Sequence, residues 1–334
     1  MLTTTTSRRS LLHFGCAVTA SLLGIAANRG SLAQTSIPQL RILCSGPAGS
    51  IPDTVARRVA EQLTRQYPQG AIVDNRPGAA GQIAVNALKA SPTDGSTVLL
   101  AQGAIATVYP YLYAKLAYDP IIDLQPVSLA GEMTLALAVG PAVPGGVTNL
   151  AEFIDWMRLN PKLANIASPG AGTLPHLLEA MLFREANVPW QHVAYSGGPP
   201  AMVDLLGGQI AALVLPEGLF RQHKATGKLR VLATSGAERS TYFPDVATFA
   251  EQRFHSLVMQ EWFAFFMPAR VQAPTIEAVS QTLRAAIARP ELAAAFADSG
   301  MLAASSTSVA LAARIAQEQR YWQPIVVATG IKAE

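Results

Sequence analysis

Short apolar segments alternate with amphipathic segments along most of the chain, and this alternation restricts the possible folds more than any other feature. Residues 40–44 form an apolar strand pattern, and apolar side chains from 55 to 63 then recur at helical spacing. Further strand patterns follow at 71–74 and 96–101, with a helical pattern between them. A repeated strand, helix, strand order predicts an α/β protein with a parallel sheet, because a helix usually connects parallel neighbours.

The alternation stops at two apolar runs, 133–139 and 262–267, and resumes between them from residue 150 to residue 234. We interpret the two runs as hinge strands that connect two lobes with a ligand cleft between them. The C-terminal segment 274–327 is helical and alanine-rich, with no strand of its own, and we expect it to return and cover the first lobe. The predicted boundaries are residues 35–138 plus 262–334 for lobe 1 and residues 139–261 for lobe 2.

The segment 1–33 has the pattern of an export signal. Arg8 and Arg9 precede an apolar stretch from 14 to 27, which is too short to span a bilayer, and a small-residue cleavage site follows near Ala33. The arginine pair resembles a twin-arginine signal, and the general export route stays open as the alternative. We therefore expect a periplasmic protein that keeps Cys44 as its one cysteine and has no internal disulfide.

The charge balance argues against polyanions as partners. The 25 Lys and Arg residues exceed the 22 Asp and Glu residues, and the excess lies entirely in the predicted export signal. The chain has 50% hydrophobic and 14% charged residues, a composition that favours a well-buried globular body. A neutral body lacks the basic patch that nucleic acid or an anionic membrane attracts, so we expect neither as a partner.

Three turns rich in glycine and proline share one design, in which a strand runs into a tight loop that opens a helix. The first, second and third turns cover residues 45–53, 168–176 and 195–200. The first N–H groups of a helix lack partners and carry a partial positive charge, so each turn can bind a carboxylate or phosphate without Lys or Arg. Ligands of α/β proteins bind beyond the carboxyl ends of the strands, so the turns predict one anion site. Ordinary helix capping is the alternative for each turn taken alone.

Sequence motifs for catalysis, metal binding and phosphate-loop binding do not occur in this chain. The stretch 170–175 has two of the three glycines of a dinucleotide fingerprint, with Pro175 in place of the third. We therefore expect no cofactor, no metal and no enzymatic activity. The alternative from another class is a secreted hydrolase that uses Ser168 and His176, with Asp204 as a third member.

Several short motifs occur in an order that is typical of one family. They include Asp-Asn-Arg-Pro-Gly-Ala-Ala-Gly at 74–81, Tyr-Asp-Pro at 118–120, Ser-x-Gly-x-Gly-Thr-x-x-His at 168–176, and Trp262 followed by Pro268. In these residues the chain resembles the Bug family of extracytoplasmic solute receptors, the substrate-binding components of tripartite tricarboxylate transporters. The resemblance implies a two-lobed, type II-like periplasmic binding fold. Its cleft holds the ligand carboxylate on loop N–H groups, hydroxyls and bridging waters.

The resemblance also implies partners. We expect a monomer that captures a small organic carboxylate and delivers it to membrane transporter subunits. A receptor that reports its ligand to a membrane kinase is the alternative with the same fold.

The candidate ligand-binding residues lie in the three turns or at the ends of neighbouring strands. They are Ala48, Gly49, Ser50, Asp53, Gln102, Ser168, Gly170, Gly172, Thr173, His176, Tyr195, Ser196, Gly197 and Glu217. The two acids repel a carboxylate unless they receive a ligand amine or a bridging water. Structural roles stay open for Thr173 as a helix cap and for His176 as a residue that packs a helix start.

Departures from the family pattern bear on the ligand. In the first turn Ala48 and Ser50 replace a proline and a glycine, and the stretch 101–107 has fewer hydroxyl and histidine side chains than the family. Fewer donors and more apolar surface predict a ligand with fewer carboxylates, or a more hydrophobic body, than a tricarboxylate.

Overall fold

The computed structural model describes residues 37–332, so the predicted export signal and its cleavage point lie outside the described residues. Within this range ten strands form one sheet. They are β1 (Leu40–Cys44), β2 (Ala71–Asn75), β3 (Thr97–Gln102), β4 (Leu124–Val139), β5 (Asn165–Ser168), β6 (Gln191–Ala194), β7 (Ala212–Pro216), β8 (Arg230–Thr234), β9 (Gln260–Pro268) and β10 (Leu302–Ala303). β10 corrects the expectation that the C-terminal segment has no strand, because two residues are too few to show a period of two.

The helices of residues 37–332 lie mainly where the sequence periodicity predicts them. They are α1 (Ile51–Leu63), α2 (Gln82–Lys89), α3 (Ala104–Thr107), α4 (Tyr109–Leu112), α5 (Pro120–Asp123), α6 (Leu150–Leu159), α7 (Leu174–Glu185), α8 (Gly198–Leu206), α9 (Glu217–Arg221), α10 (Ala273–Ile287), α11 (Pro290–Asp298) and α12 (Ser308–Thr329). Proline stands in the first turn of α1, α7 and α8, where its missing N–H costs no helical hydrogen bond. The one-turn helices α3, α4 and α5 are too short for a periodicity to predict.

The sheet is mixed, whereas the alternation predicts a parallel one. Its order is β2-β1-β3-β9-β4-β7-β5-β6, with β8 and β10 also paired to β4. β1 is parallel to β2 and β3, and β5 is parallel to β6 and β7. β9 is antiparallel to β3 and β4, and β4 is antiparallel to β7 and β8. The central strands, β4 and β9, are long apolar runs, and no single helix connects either of them to a neighbour in the sheet. The sequence pattern therefore does not show whether they run parallel or antiparallel to their neighbours.

β4 belongs to both halves of the sheet. Its residues 124–134 pair with β9, whereas residues 135–139 lie between β7 and β8. The predicted hinge run 133–139 is the last part of β4, and the run 262–267 lies within β9. The exact lobe boundaries at 138/139 and 261/262 stay predictions.

The C-terminal helices pack against the first half of the sheet. Val279 and Leu283 of α10 lie in one buried cluster with Val59 of α1 and Ile42 of β1. Burying an aliphatic side chain of this size stabilises the fold by about 1.5–3 kcal/mol. Cys44 is buried in the same cluster, and burial raises the pKa of its thiol to about 12. No helix within residues 37–332 is long and apolar enough to cross a membrane.

Candidate functional site

A cavity of about 370 Å³, which we call the cleft cavity, opens where the first, second and third turns meet. A fourth turn, residues 77–82, also contributes to its walls, together with residues of β3, β7, β9 and α9. The predicted site residues on these walls are Ser50, Gln102, Gly170, Thr173, Tyr195, Ser196 and Gly197. The volume is in the range of small-molecule sites, so the fold brings the three turns to one concave surface that fits a small ligand.

The remaining predicted residues do not line the cleft cavity. They are Ala48, Gly49, Asp53, Ser168, Gly172, His176 and Glu217. Most of them are chain neighbours of wall residues and hold the turns in shape. Direct ligand contact by these residues stays a prediction.

Asp53 braces the first turn from behind. Its buried carboxylate accepts hydrogen bonds from the Gly49 N–H (2.9 Å), the Asn75 amide (2.9 Å) and the Arg57 guanidinium (3.1 Å). Burial acts to raise the pKa of Asp53, but these hydrogen bonds outweigh it and hold the pKa below its usual value. The Ser50 hydroxyl donates to the Pro47 carbonyl (2.6 Å) within the same turn. The first turn is therefore fixed before any ligand binds.

The second turn is closed by its own side chains. The hydroxyls of Ser168 and Thr173 both donate to the Gly170 carbonyl, at 3.0 and 2.7 Å. The Gly172 N–H donates to His176 Nδ1 (3.0 Å), so it is not free for a ligand. Thr173 occupies the N-cap position of α7 without a side-chain cap bond. Its hydroxyl shapes the loop instead of capping the helix.

The third turn is tied to the second. The Gly197 N–H donates to the Pro169 carbonyl (3.0 Å), and the Tyr195 hydroxyl donates to Asp204 (2.6 Å). Gly197 has φ 109° and ψ 173°, a conformation that only glycine adopts readily. A Cβ at Gly197 would lie 3.0 Å from Pro47 of the first turn, so the first and third turns face each other closely.

The fourth turn was missed as part of the site by sequence reasoning from the residues alone. Ala79 and Ala80 both have positive φ, at 45° and 51°. The Ala80 carbonyl accepts hydrogen bonds from the Gln102 amide (2.6 Å) and the Tyr109 hydroxyl (2.8 Å). Ser45 Oγ donates to the same Gln102 side chain (3.0 Å), so one glutamine links three wall segments. The motif at 74–81 indicates the family, but nothing in it predicts that residues 77–81 line the ligand cavity.

Several backbone N–H groups on the cavity walls have no acceptor within residues 37–332. They include those of Ile51, Ala171, Ser196 and Gly198. Ile51 and Gly198 are the first residues of α1 and α8, where helix geometry leaves N–H groups free. These donors come from all three turns, as an anion site built from backbone groups requires.

The described walls of the cleft cavity contain no Lys, Arg or His. Their titratable side chains are those of Tyr113, Tyr195 and Glu261. Burial raises the pKa of Tyr195 to about 12, with a smaller contribution from Asp204. Ligand charge must therefore be met by backbone dipoles and neutral donors.

Two histidines stack behind the second turn. His176 and His192 lie with ring centroids 3.7 Å apart, and His192 Nε2 is 2.8 Å from the Ser168 hydroxyl. Glu179 is fully buried beside them, with an oxygen 3.9 Å from His192 Nε2. The Ser168 hydroxyl thus contacts His192, not His176, and it is buried away from the cleft cavity. The Ser168 and His176 arrangement of the hydrolase alternative is not formed.

Glu217 lies at the start of α9, next to the cavity wall. It is buried, and one carboxyl oxygen has no hydrogen-bond partner among the described residues. Burial raises its pKa to about 7, against a smaller opposing effect of a hydrogen bond with Ser240. Its neighbours Pro216 and Leu219 line the cavity, but Glu217 does not.

The family is decided by a model that matches residues 55–331 and is described as "Tripartite tricarboxylate transporter family receptor". The chain belongs to this receptor family. The receptor is 31% identical over 294 residues to Protein BugT of Bordetella pertussis (strain Tohama I), an alignment that covers 88% of the receptor and 90% of BugT. The resemblance to the Bug family is therefore confirmed.

Solved structures share the fold of the receptor. A periplasmic transporter is 26% identical with a TM-score of 0.82, and the match covers 88% of the receptor and 98% of that chain. The periplasmic binding protein BugD is 23% identical with a TM-score of 0.82, and the match covers 89% and 99%. The α/β periplasmic binding fold expected from the sequence is confirmed, and the receptor belongs to a family of solute-binding proteins.

Proposed function

We propose that this receptor captures a small organic carboxylate in the cleft cavity, in the periplasm, and delivers it to the subunits of a membrane transporter. One observation carries the proposal. Backbone N–H groups without acceptors on all three turns converge on a cavity of about 370 Å³ whose walls hold no cationic side chain. Such a site suits an anion with an apolar body. Its backbone dipoles stabilise the negative charge, and its proline and leucine side chains contact the apolar part of the ligand.

Two further structures support the choice of ligand class. A Rhodopseudomonas palustris protein with adipate is 23% identical to the receptor with a TM-score of 0.82, and the match covers 88% of the receptor and 98% of that chain. MatC from Rhodopseudomonas palustris with bound malate is 24% identical with a TM-score of 0.79 and covers 86% and 98%. Both ligands are dicarboxylates. We expect the receptor to prefer a mono- or dicarboxylate to a tricarboxylate, because the cavity walls offer apolar side chains such as Pro47, Leu219 and Phe263 and no cationic side chain.

A thermal-shift screen tests the ligand class. The protein is first unfolded and refolded to remove any ligand carried through purification, and is then mixed with adipate, malate, citrate and a set of monocarboxylates. A ligand at about one hundred times its dissociation constant stabilises the folded state by roughly 2.7 kcal/mol, which raises the melting temperature by several degrees. A screen in which no carboxylate raises the melting temperature contradicts the proposal.

Gly170→Val tests the position of the ligand. Gly170 lines the cavity, and a Cβ there meets only ordinary contacts at 3.4 to 3.9 Å, from Thr173, Tyr195 and Ala80. The Cβ therefore fits, and we expect the branched methyl groups of Val to occupy the ligand space. We expect at least a tenfold loss of affinity by calorimetry, with a melting temperature close to that of the wild type.

Gly145→Val is the matched control, because a Cβ at Gly145 meets nothing within 4 Å. It should bind as the wild type does. Full affinity in a folded Gly170→Val variant would show that the ligand does not bind in this cavity.

Delivery is tested in cells. Loss of the receptor should lower uptake of the identified ligand, and wild-type protein, but not Gly170→Val, should restore it.

A further inference from the structure

Glu261 is the one carboxyl group on the described walls of the cleft cavity. It lies near the start of β9, two residues before Phe263, which also lines the cavity. Side chains two residues apart on a strand share one face, so both point toward the ligand space. Only 6% of Glu261 is exposed, which is unusual for a carboxyl group on a cavity wall.

No cation or hydrogen bond within residues 37–332 compensates the Glu261 carboxyl. Burial raises its pKa to about 8, and the nearby carboxylate of Glu318 on α12 adds a smaller effect in the same direction. Tyr109 of α4 faces it as well, and burial raises the pKa of that phenol far above its usual value. Every titratable neighbour is therefore an acid, and none favours an ionised Glu261.

Arg314, whose guanidinium lies over the ring of the next residue, Trp262, serves other groups. Arg314 pairs with Glu132 and with Glu318, and its guanidinium lies 5.0 Å from the centre of the Trp262 ring. Trp262 is adjacent to Glu261 on β9, so its side chain points to the opposite face of the strand. Arg314 does not line the cleft cavity, and its positive charge is shared between Glu132 and Glu318.

A carboxyl group in this position can favour the binding of an anionic ligand only when it is protonated. An ionised Glu261 would repel a carboxylate across a poorly solvated cavity, whereas the neutral acid offers one O–H donor. A hydrogen bond from O–H to a carboxylate oxygen is short and charge-assisted, and it is about twice as strong as one between neutral groups.

We propose that Glu261 binds the ligand as an uncharged carboxylic acid that donates its O–H to a carboxylate or carbonyl oxygen, so that the receptor captures its anion together with a proton. This inference rests on the proposed function, because it assigns a role within the same cavity. It also assigns selectivity: the Glu261 end of the site favours oxyacids and disfavours ligands that place an ammonium group there.

The inference fixes the sign of the pH dependence. An anion beside Glu261 raises the pKa of the acid further, so the complex holds a proton that the free receptor releases above about pH 8. Affinity is therefore constant below about pH 7 and falls above about pH 8, by roughly tenfold for each pH unit.

The experiment measures the affinity of the refolded receptor for adipate by calorimetry from pH 6 to pH 10. Glu261→Gln keeps a neutral donor but cannot titrate, so it should bind within a few-fold of wild type at pH 7 and should lose the pH dependence. Glu261→Leu removes the donor and should bind roughly tenfold more weakly at pH 7, also without pH dependence. Glu179→Gln changes a buried carboxyl outside the cavity and should keep the wild-type pH profile.

Two results would overturn the inference. The first is a Glu261→Gln variant that keeps the wild-type pH profile. The second is a Glu261→Gln variant that loses as much affinity as the removal of one partner of an ion pair would cost. An infrared difference spectrum of the ligand-free proteins gives an independent reading. Wild type minus Glu261→Gln should contain the carbonyl stretch of a protonated carboxyl at pH 7, and its absence contradicts the inference whichever ligand is used. The proposed function fails separately, when no carboxylate in the thermal-shift screen binds the wild type.

Discussion

Gly218→Ala is expected to lower the free energy of unfolding by about 3 kcal/mol, because the added methyl group has no space. A Cβ at Gly218 would overlap the carbonyl group of Ser299, and a Cβ at Gly300 would overlap the Gly218 backbone in turn. These are backbone atoms, so the overlap cannot be relieved by rotating a side chain. The start of α9 and the turn after α11 must move apart.

Urea denaturation followed by tryptophan fluorescence measures this loss. Gly145→Ala is the control, because its Cβ meets nothing within 4 Å and its stability should match or slightly exceed that of the wild type. Pro216 and Leu219, on either side of Gly218, line the cleft cavity, so the displacement should also weaken ligand binding. A Gly218→Ala protein of wild-type stability would contradict this close approach of the two backbones.

Acidification is expected to destabilise the wild type more than a His192→Gln variant. Burial lowers the pKa of His192 to about 4 from 6.5, so between these values the unfolded chain binds a proton that the folded state refuses. The stabilisation is present above pH 6.5 and is lost as the pH falls toward 4. A shift of this size corresponds to about 3 kcal/mol, which is the expected difference in acid sensitivity between the two proteins.

Two other titratable side chains, those of His176 and Glu179, lie close to His192 and also affect the pH dependence of stability. His176 stacks on it and has its own pKa lowered to about 3, mainly by burial and also by His192. Glu179 lies 3.9 Å away, and its burial raises the carboxyl pKa well above normal, which favours the folded state on acidification. Because Glu179 and His176 are present in both proteins, the difference between them reports on His192 and on its effect on His176. Denaturation curves at pH 7 and pH 4 that shift equally in the two proteins would contradict the assignment.

The site could be predicted from the sequence where the backbone carries the signal. A strand that ends in a glycine- and proline-rich turn before a helix must present N–H groups at that edge, and Ser50, Gly170 and Gly197 do lie on the cavity walls. Ala79 and Ala80 gave no such signal, since alanine with positive φ is held in place by Gln102 and Tyr109 from elsewhere in the chain. A conformation imposed by distant partners leaves no local pattern.

Side-chain partners were less accessible to sequence reasoning than turns. Ser168 could be paired with His176 on paper, but the parallel register of β5 and β6 places His192 beside Ile166 and within reach of Ser168. Glu261 directly precedes the apolar run 262–267, which predicts a buried strand but gives no sign of a ligand-binding carboxyl group. Its meaning depends on which face of β9 borders the cavity, and that face is set by pairing with β3 and β4.

The position of β9 in the sheet has a consequence for biosynthesis. Among the described strands, β9 alone stands between β3 and the first part of β4, yet it follows both by more than a hundred residues in the chain. A growing polypeptide that has not reached residue 268 thus holds two bare strand edges that cannot satisfy each other. Such edges are templates for aggregation, so the nascent chain needs protection until β9 has been made.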